Sequence, residues 1–205
     1  MTNIKICGLM EPEHVTAAVE AGADFIDFVF AKSKRQITVE QAKTLASSIP
    51  ANVKKVGVFV NEDPETIRHI FETVPLDYVQ YHGDETNELI QQIGLPSIKA
   101  FSVNEHTNFD EISQYNVDYF LFDAPGVEYR GGSGHTFDWN YLNKCPIDRS
   151  RIFLAGGLNA ANVQSAIQQT QPFCVDVSSS VETDGKKDVS KIQVFIETAK
   201  GVAQQ

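Results

Sequence analysis

Two hydrophobic rhythms alternate along the chain from end to end. Short β-branched or aromatic runs predict strands at residues 4–7, 25–30, 55–60, 77–80, 97–102, 119–122, 151–155 and 174–177. Between them, apolar residues spaced for one helical face predict helices beginning near Pro12, Thr38, Asp63, Asp84, Glu105, Phe137, Asn159 and Val189. Three of these carry start signals: Thr38 with Gln41, Asp63 before Pro64, and Asp84 with Glu85 each set a capping side chain ahead of the periodic segment.

Eight strand–helix units at roughly 25-residue spacing imply a parallel sheet, because parallel neighbours need a crossover helix. Eight such units close into a (β/α)8 barrel, an α/β fold with no sheet edge left open. An open doubly wound sheet is the competing architecture. No Pro/Ser/Gly tract divides the chain, so residues 1–205 read as a single barrel domain. In a barrel, chemistry sits at the C-terminal ends of the strands, on the βα loops. The positions just past the predicted strands are Cys7 and Gly8, residues 31–35, Asn61, His82 and Gly83, Val103, Asp123, Gly156 and Gly157, and residues 178–180. The longest irregular stretch, 124–136, is glycine-rich, and so long a loop within a compact domain is more often functional than idle.

Composition narrows the choice by exclusion. The 205 residues are 42% hydrophobic and 21% charged, and their net charge of −10 comes with no basic stripe, which argues against a nucleic-acid or membrane-surface partner. An anionic substrate must therefore be held by local donors, since the overall field repels it. Three cysteines, Cys7, Cys145 and Cys174, make an odd count with no close pair, so neither a disulfide framework nor a zinc knuckle is expected, and a reducing cytoplasm fits best. The N-terminus lacks a signal pattern and no apolar run approaches membrane-spanning length. The five histidines are scattered with no helical i, i+4 pair, so no metal is expected, and a dinucleotide fingerprint is absent.

Two rim residues have the chemistry for proton transfer. Cys7 ends a strand and precedes a glycine, so its thiolate could act as a base, although a free cysteine there is equally a core residue. Asp123 directly follows an apolar strand, where poor solvation could raise its pKa enough for proton donation; a loop-capping aspartate is the plainer reading. The glycine- and serine-rich turns at Gly132, Ser133 and Gly134, at Gly156 and Gly157, and at Ser179 and Ser180 follow the last three strands, where barrels hold phosphate through main-chain N–H groups. Arg35 at the rim could grip a carboxylate with its fork, or be solvated surface; His82 could donate a hydrogen bond, or be a turn residue. Asp176 could contact substrate hydroxyls or orient the serine loop.

Lys5-Ile6-Cys7-Gly8, Gly57-Val58-Phe59-Val60-Asn61, Gln80-Tyr81-His82-Gly83, Gly131-Gly132-Ser133-Gly134 with Phe137-Asp138-Trp139, Leu154-Ala155-Gly156-Gly157-Leu158 and Asp176-Val177-Ser178-Ser179 occur in this order. Together they closely resemble the phosphoribosylanthranilate isomerase family of tryptophan biosynthesis over nearly the whole chain. The resemblance implies a (β/α)8 barrel and an Amadori rearrangement of N-(5-phosphoribosyl)anthranilate without metal or organic cofactor. It implies Asp123 as the acid that opens the furanose ring, Cys7 as the base at C2, and Arg35 on the anthranilate carboxylate. The three glycine and serine turns would hold the phosphate. Three positions depart from the family pattern: Ser180 stands for a glycine, Tyr81 for a leucine and Met10 for a threonine. A positive φ at Ser180 would be strained.

Other readings stay open. An indole-glycerol-phosphate synthase would need a lysine at a strand end, whereas Lys5 and Lys99 fall inside predicted strands, and an epimerase would need metal-binding groups beyond His82. A non-catalytic phosphosugar-binding protein could keep the same fold. A monomer is the default for this size and charge, with a homodimer also open.

Overall fold

The computed structural model describes residues 1–125 and 136–201. Eight parallel strands, β1 (Asn3–Ile6), β2 (Phe25–Val29), β3 (Lys54–Phe59), β4 (Tyr78–Tyr81), β5 (Ser97–Ser102), β6 (Tyr119–Asp123), β7 (Ile152–Leu154) and β8 (Cys174–Val177), pair in chain order and close from β8 back to β1. Helices α1 (Pro12–Ala21), α2 (Val39–Ala46), α3 (Pro64–Thr73), α4 (Asn87–Ile93), α5 (Phe109–Ile112), α6 (Val163–Thr170) and α7 (Val189–Lys200) fill the crossovers. The closed barrel is therefore the architecture, and the open sheet is not.

The period-two alternation of strands sorts side chains into two cores. Phe25, Val56, Ile98, Ala100, Leu121, Phe153, Ala155 and Cys174 pack together inside the ring. Their alternates, among them Ile4, Ile6, Ile26, Phe28, Phe59, Val79, Tyr81, Phe120 and Phe122, pack with the helices in an outer shell. Tyr81 is fully buried there, so it is an outer-wall residue and does not face the mouth. At the lower end of the ring five rings interlock: Phe153 meets Phe25 edge-on at 5.2 Å and Tyr119 at 5.2 Å, while Phe173 stacks on Tyr119 at 4.8 Å and Tyr78 meets Tyr119 at 5.6 Å.

Helix starts follow the capping chemistry, with corrections. Thr38 and Gln41 make the reciprocal capping box, and Asp63 caps α3 ahead of Pro64. For α4 the cap is Thr86 rather than Asp84 or Glu85. Glu85 turns inward and accepts from the N–H groups of Asn61 (2.7 Å) and Gly83 (2.9 Å), stapling the loops after β3 and β4. The helix expected near Glu105 shrinks to α5, capped by Asn108, and the one expected near Phe137 is a 3-10 segment over Trp139–Lys144. Pro146 explains that second failure: it forces Cys145 into an extended conformation and ends the turn. One element escaped the pattern reading, a two-stranded hairpin of β9 (Glu182–Thr183) and β10 (Lys186–Lys187). Its turn is Asp184-Gly185 with φ of 51° and 78°, the left-handed pair that tight hairpins favour.

Phe153 is fully buried and touches three other rings. Phe153→Ala is expected to lower unfolding free energy by about 3–5 kcal/mol, the usual cost of an aromatic cavity; chemical denaturation of the two proteins checks it.

Candidate active site

The upper layer inside the ring is charged. Lys5, on the same face of β1 as Cys7, reaches in and forms ion pairs with Asp27 Oδ2 of β2 and Asp176 Oδ1 of β8 (2.9 Å), all three shielded from solvent. Burial opposes charge on Lys5, but Asp176 and Asp27 outweigh it and hold the ammonium more firmly than in water. One ammonium cannot neutralise two carboxylates. Burial together with Asp27 and Asp123 accordingly pushes Asp176 up to about 6 despite Lys5. Asp176, a candidate contact for substrate hydroxyls or anchor for the serine loop, pairs with Lys5 through Oδ1.

Cys7 stands just past β1, its N–H donating to the Val177 carbonyl at 2.8 Å and so extending the β1–β8 ladder. The Cys7, Asp27 and Asp176 ligand atoms lie within 4.8 Å of one another. The histidine scan could not reveal such a cluster, drawn from three strands, and the Lys5 ammonium already supplies a cation to both of its carboxylates. Burial pushes the Cys7 thiol up, Asp27 and Asp176 push it further, and Lys5 and Lys187 pull the other way.

Asp123 closes β6, buried, its Oδ1 accepting from the Ala124 N–H at 2.8 Å. Its Oδ2 lies 3.6 Å from His82 Nε2, and the other ring nitrogen of His82 is 3.1 Å from Gln80 Nε2. Gly156 is needed beside it. With φ at +83°, a Cβ there would meet the Ala124 nitrogen at 2.5 Å and Asp123 Oδ1 at 3.1 Å. Gly8 does the same for Arg35: φ is +75° and a Cβ would fall 2.7 Å from Arg35 Cδ. Arg35 thus lies against the end of β1, where Glu182 grips its Nε at 2.6 Å and Nη2 at 3.2 Å.

Gly156 and Gly157 form consecutive left-handed residues after β7, with φ of 83° and 61°. Ser179 and Ser180 open a 3-10 turn, Ser179–Val181, after β8. Ser180 has no positive φ, so the strain expected there does not arise; its hydroxyl donates to the Leu158 carbonyl, tying the two loops together. Gly132, Ser133 and Gly134 lie outside the described residues. Cys174 is buried in the inner core and Cys145 half-buried beside the 3-10 segment, both away from the mouth.

Four residues of this site were missed: Lys5 as a mouth residue, Asp27, Glu182 and Lys187. Signals existed. Lys5 is two residues before Cys7 and so on its face of the strand; Asp27 interrupts an apolar run; Glu182 and Lys187 flank Asp184-Gly185. Lys187 Nζ donates to Glu182 Oε1 (2.9 Å) and to the Ser178 carbonyl (2.8 Å).

Burial opposes ionisation of Glu182, yet hydrogen bonds from Arg35 and Lys187 prevail and hold its carboxyl down at about 2, against an ordinary 4.5. The folded state therefore binds this proton less readily than the unfolded one. Its stabilisation is full above pH 4.5 and is lost as pH falls towards 2. The stability difference between the parent and Glu182→Gln should shrink across that window in urea titrations at graded pH.

Known proteins resemble this chain over nearly its whole length. The family model described as N-(5'phosphoribosyl)anthranilate (PRA) isomerase matches residues 4–198. The N-(5'-phosphoribosyl)anthranilate isomerase of Listeria welshimeri is 54% identical over 199 residues, covering 97% of this chain and 98% of the relative. The crystal structure of the Thermotoga maritima phosphoribosyl anthranilate isomerase superposes with a TM-score of 0.87 at 42% identity, over 98% of this chain and 100% of the other. A phosphoribosyl anthranilate isomerase in complex with reduced 1-(o-carboxyphenylamino)-1-deoxyribulose 5-phosphate gives 0.86 at 40% identity, over the same shares. With a family model spanning nearly all of its length and a relative sharing more than half of its residues, the chain belongs to the N-(5'-phosphoribosyl)anthranilate isomerase family.

Proposed function

We propose that this chain isomerises N-(5'-phosphoribosyl)anthranilate to 1-(2-carboxyphenylamino)-1-deoxyribulose 5-phosphate, with Asp123 and Cys7 as its proton-transfer pair. The observation that carries the roles is the common mouth: Cys7 after β1 lies within 4.8 Å of Asp176, Asp123 at the end of β6 raises the pKa of that same carboxylate, and a hydrophobic core fills the ring below them.

The chemistry follows from these positions. As the general acid, Asp123 gives a proton to the furanose ring oxygen; the C1–O bond breaks, and the anilino nitrogen's lone pair forms the iminium. The iminium draws electrons from C2, so the C2–H proton becomes acidic. Cys7 as thiolate removes it, leaving an enolamine with a C2 hydroxyl; protonation at C1 and loss of that hydroxyl's proton give the ketone. A buried thiol is a poor base at rest. The cationic iminium offsets this, because positive charge appears beside the sulfur as the ring opens, and the Asp27 and Asp176 carboxylates are neighbouring acceptors for the thiol's proton. His82, close to Asp123 Oδ2, would keep the acid oriented between turnovers.

Arg35 would take the anthranilate carboxylate, and the main-chain N–H groups at Gly156, Gly157, Ser179 and Ser180, joined by Gly132, Ser133 and Gly134, would take the phosphate. The relative with a bound reduced product analogue supports a ligand carrying both groups. The synthase reading lacks its lysine. Lys5 is spent on two carboxylates, and Lys99 is bonded to the carbonyls of Gly83 (2.9 Å) and Ala100 (3.1 Å), outside the inner core. A cytoplasmic monomer acting on this small phosphorylated substrate, without metal or organic cofactor, completes the proposal. Among the described residues no helix is long and apolar enough to cross a membrane.

Cys7→Ala and Asp123→Asn should each lower kcat by at least ~10²-fold, the size expected for lost acid–base catalysis. Loss of anthranilate-substrate fluorescence under single-substrate turnover reads this, with circular dichroism to show that both variants fold. Near-parental kcat in either would remove that residue from its role.

A further inference from the structure

Glu182 and Lys187 have no part in the reaction as derived, yet both hairpin strands turn these charges inward. Lys187 is only 8% exposed. Glu182 meets three cations: Arg35 through Nε and Nη2 on one side, Lys187 Nζ on the other, and the exposed Lys34 Nζ at 3.3 Å. Lys187 also donates to the Ser178 carbonyl at 2.8 Å, and the Ser178 hydroxyl reaches the Cys7 carbonyl at 3.5 Å. The hairpin is thereby fastened over the ends of β8 and β1, beside the sulfur.

We propose that Glu182 is a positioning residue that holds two cations for separate tasks: Arg35 aimed at the substrate carboxylate, and Lys187 kept next to Cys7 to favour its thiolate. This rests on the roles given above to Cys7 and Arg35.

The bonding leaves each cation free for its task. The Glu182 grip consumes two of the five guanidinium N–H groups, so three remain for a ligand. The charges that face Cys7 are Lys5 from its own strand, Asp27 from β2, Arg35 from the loop after β2, Asp176 from β8 and Lys187 from β10. Lys5 is divided between two carboxylates, and Arg35 is committed to Glu182. Lys187 shares Glu182 with Arg35 and Lys34 and otherwise meets neutral Ser178 oxygens, and like Lys5 it favours the thiolate. Burial lowers the Lys187 pKa, and the Cys7 and Glu182 charges oppose that fall.

The test uses the full chain and three variants, Lys187→Gln, Lys187→Arg and Glu182→Gln, each checked for folding by circular dichroism. Thiolate formation at Cys7 is followed by ultraviolet absorbance against pH, as the difference from the matching Cys7→Ser protein. Lys187→Gln, which keeps a donor for Ser178, should move that titration up by about one pH unit, the usual influence of one nearby charge. Lys187→Arg should return it towards the parent. Glu182→Gln should raise KM about tenfold, as loss of a charge-assisted hydrogen bond does. An unmoved titration in a folded Lys187→Gln protein overturns the role of Lys187, and an unchanged KM in Glu182→Gln overturns that of Glu182. If Lys187→Gln does not fold, Lys187→Met carries the same titration. Because thiolate absorbance needs no turnover, it stays decisive even if Cys7→Ala proves active, an outcome that would fall on the catalytic assignment alone.

Discussion

A lysine buried between two aspartates at the centre of the ring sets the terms for everything above it. Removing an ammonium from water is costly, and Asp27 and Asp176 must both be near to hold its charge. Three strands, β1, β2 and β8, are thereby held in one register, which is also the seam where the sheet closes on itself. Asp27 adds a second hold by accepting the Gly8 N–H at 2.6 Å, which directs the chain as it leaves β1. The cluster carries one more negative than positive charge. That surplus is felt by the Cys7 thiol, which sits on top of it.

The outer cations answer that surplus. Arg35 and Lys187 converge on Glu182, and Gly8 lets Arg35 lie flat against the β1 terminus. Two charge clusters, one beneath the sulfur and one beside it, pull its protonation in opposite directions. Burial and the inner carboxylates prevail, so a further positive charge beside the sulfur, such as an iminium formed on ring opening, would favour the thiolate.

Much of this was legible from the chain alone. Short β-branched and aromatic runs marked all eight strands to within a residue or so, because burial on both faces leaves them nearly continuously apolar. Cys7, Asp123, Gly156 and Gly157 could be placed because the strand ends could. What stayed hidden depended on distances across the ring. Lys5 read as a strand residue and Asp27 as an irregularity, since nothing local says that residues 5, 27 and 176 share a layer. The caps of α4 and the 3-10 segment misled for a different reason: Glu85 was claimed by the tertiary staple, and Pro146 overrode the helical spacing. The hairpin after β8 carried its own signal in Asp184-Gly185.

The interlocked rings of Phe25, Tyr78, Tyr119, Phe153 and Phe173 make the barrel a blind well. Whatever enters can leave only by the opening through which it came. A spent molecule must clear that entrance before the next is admitted, so release and uptake share one doorway.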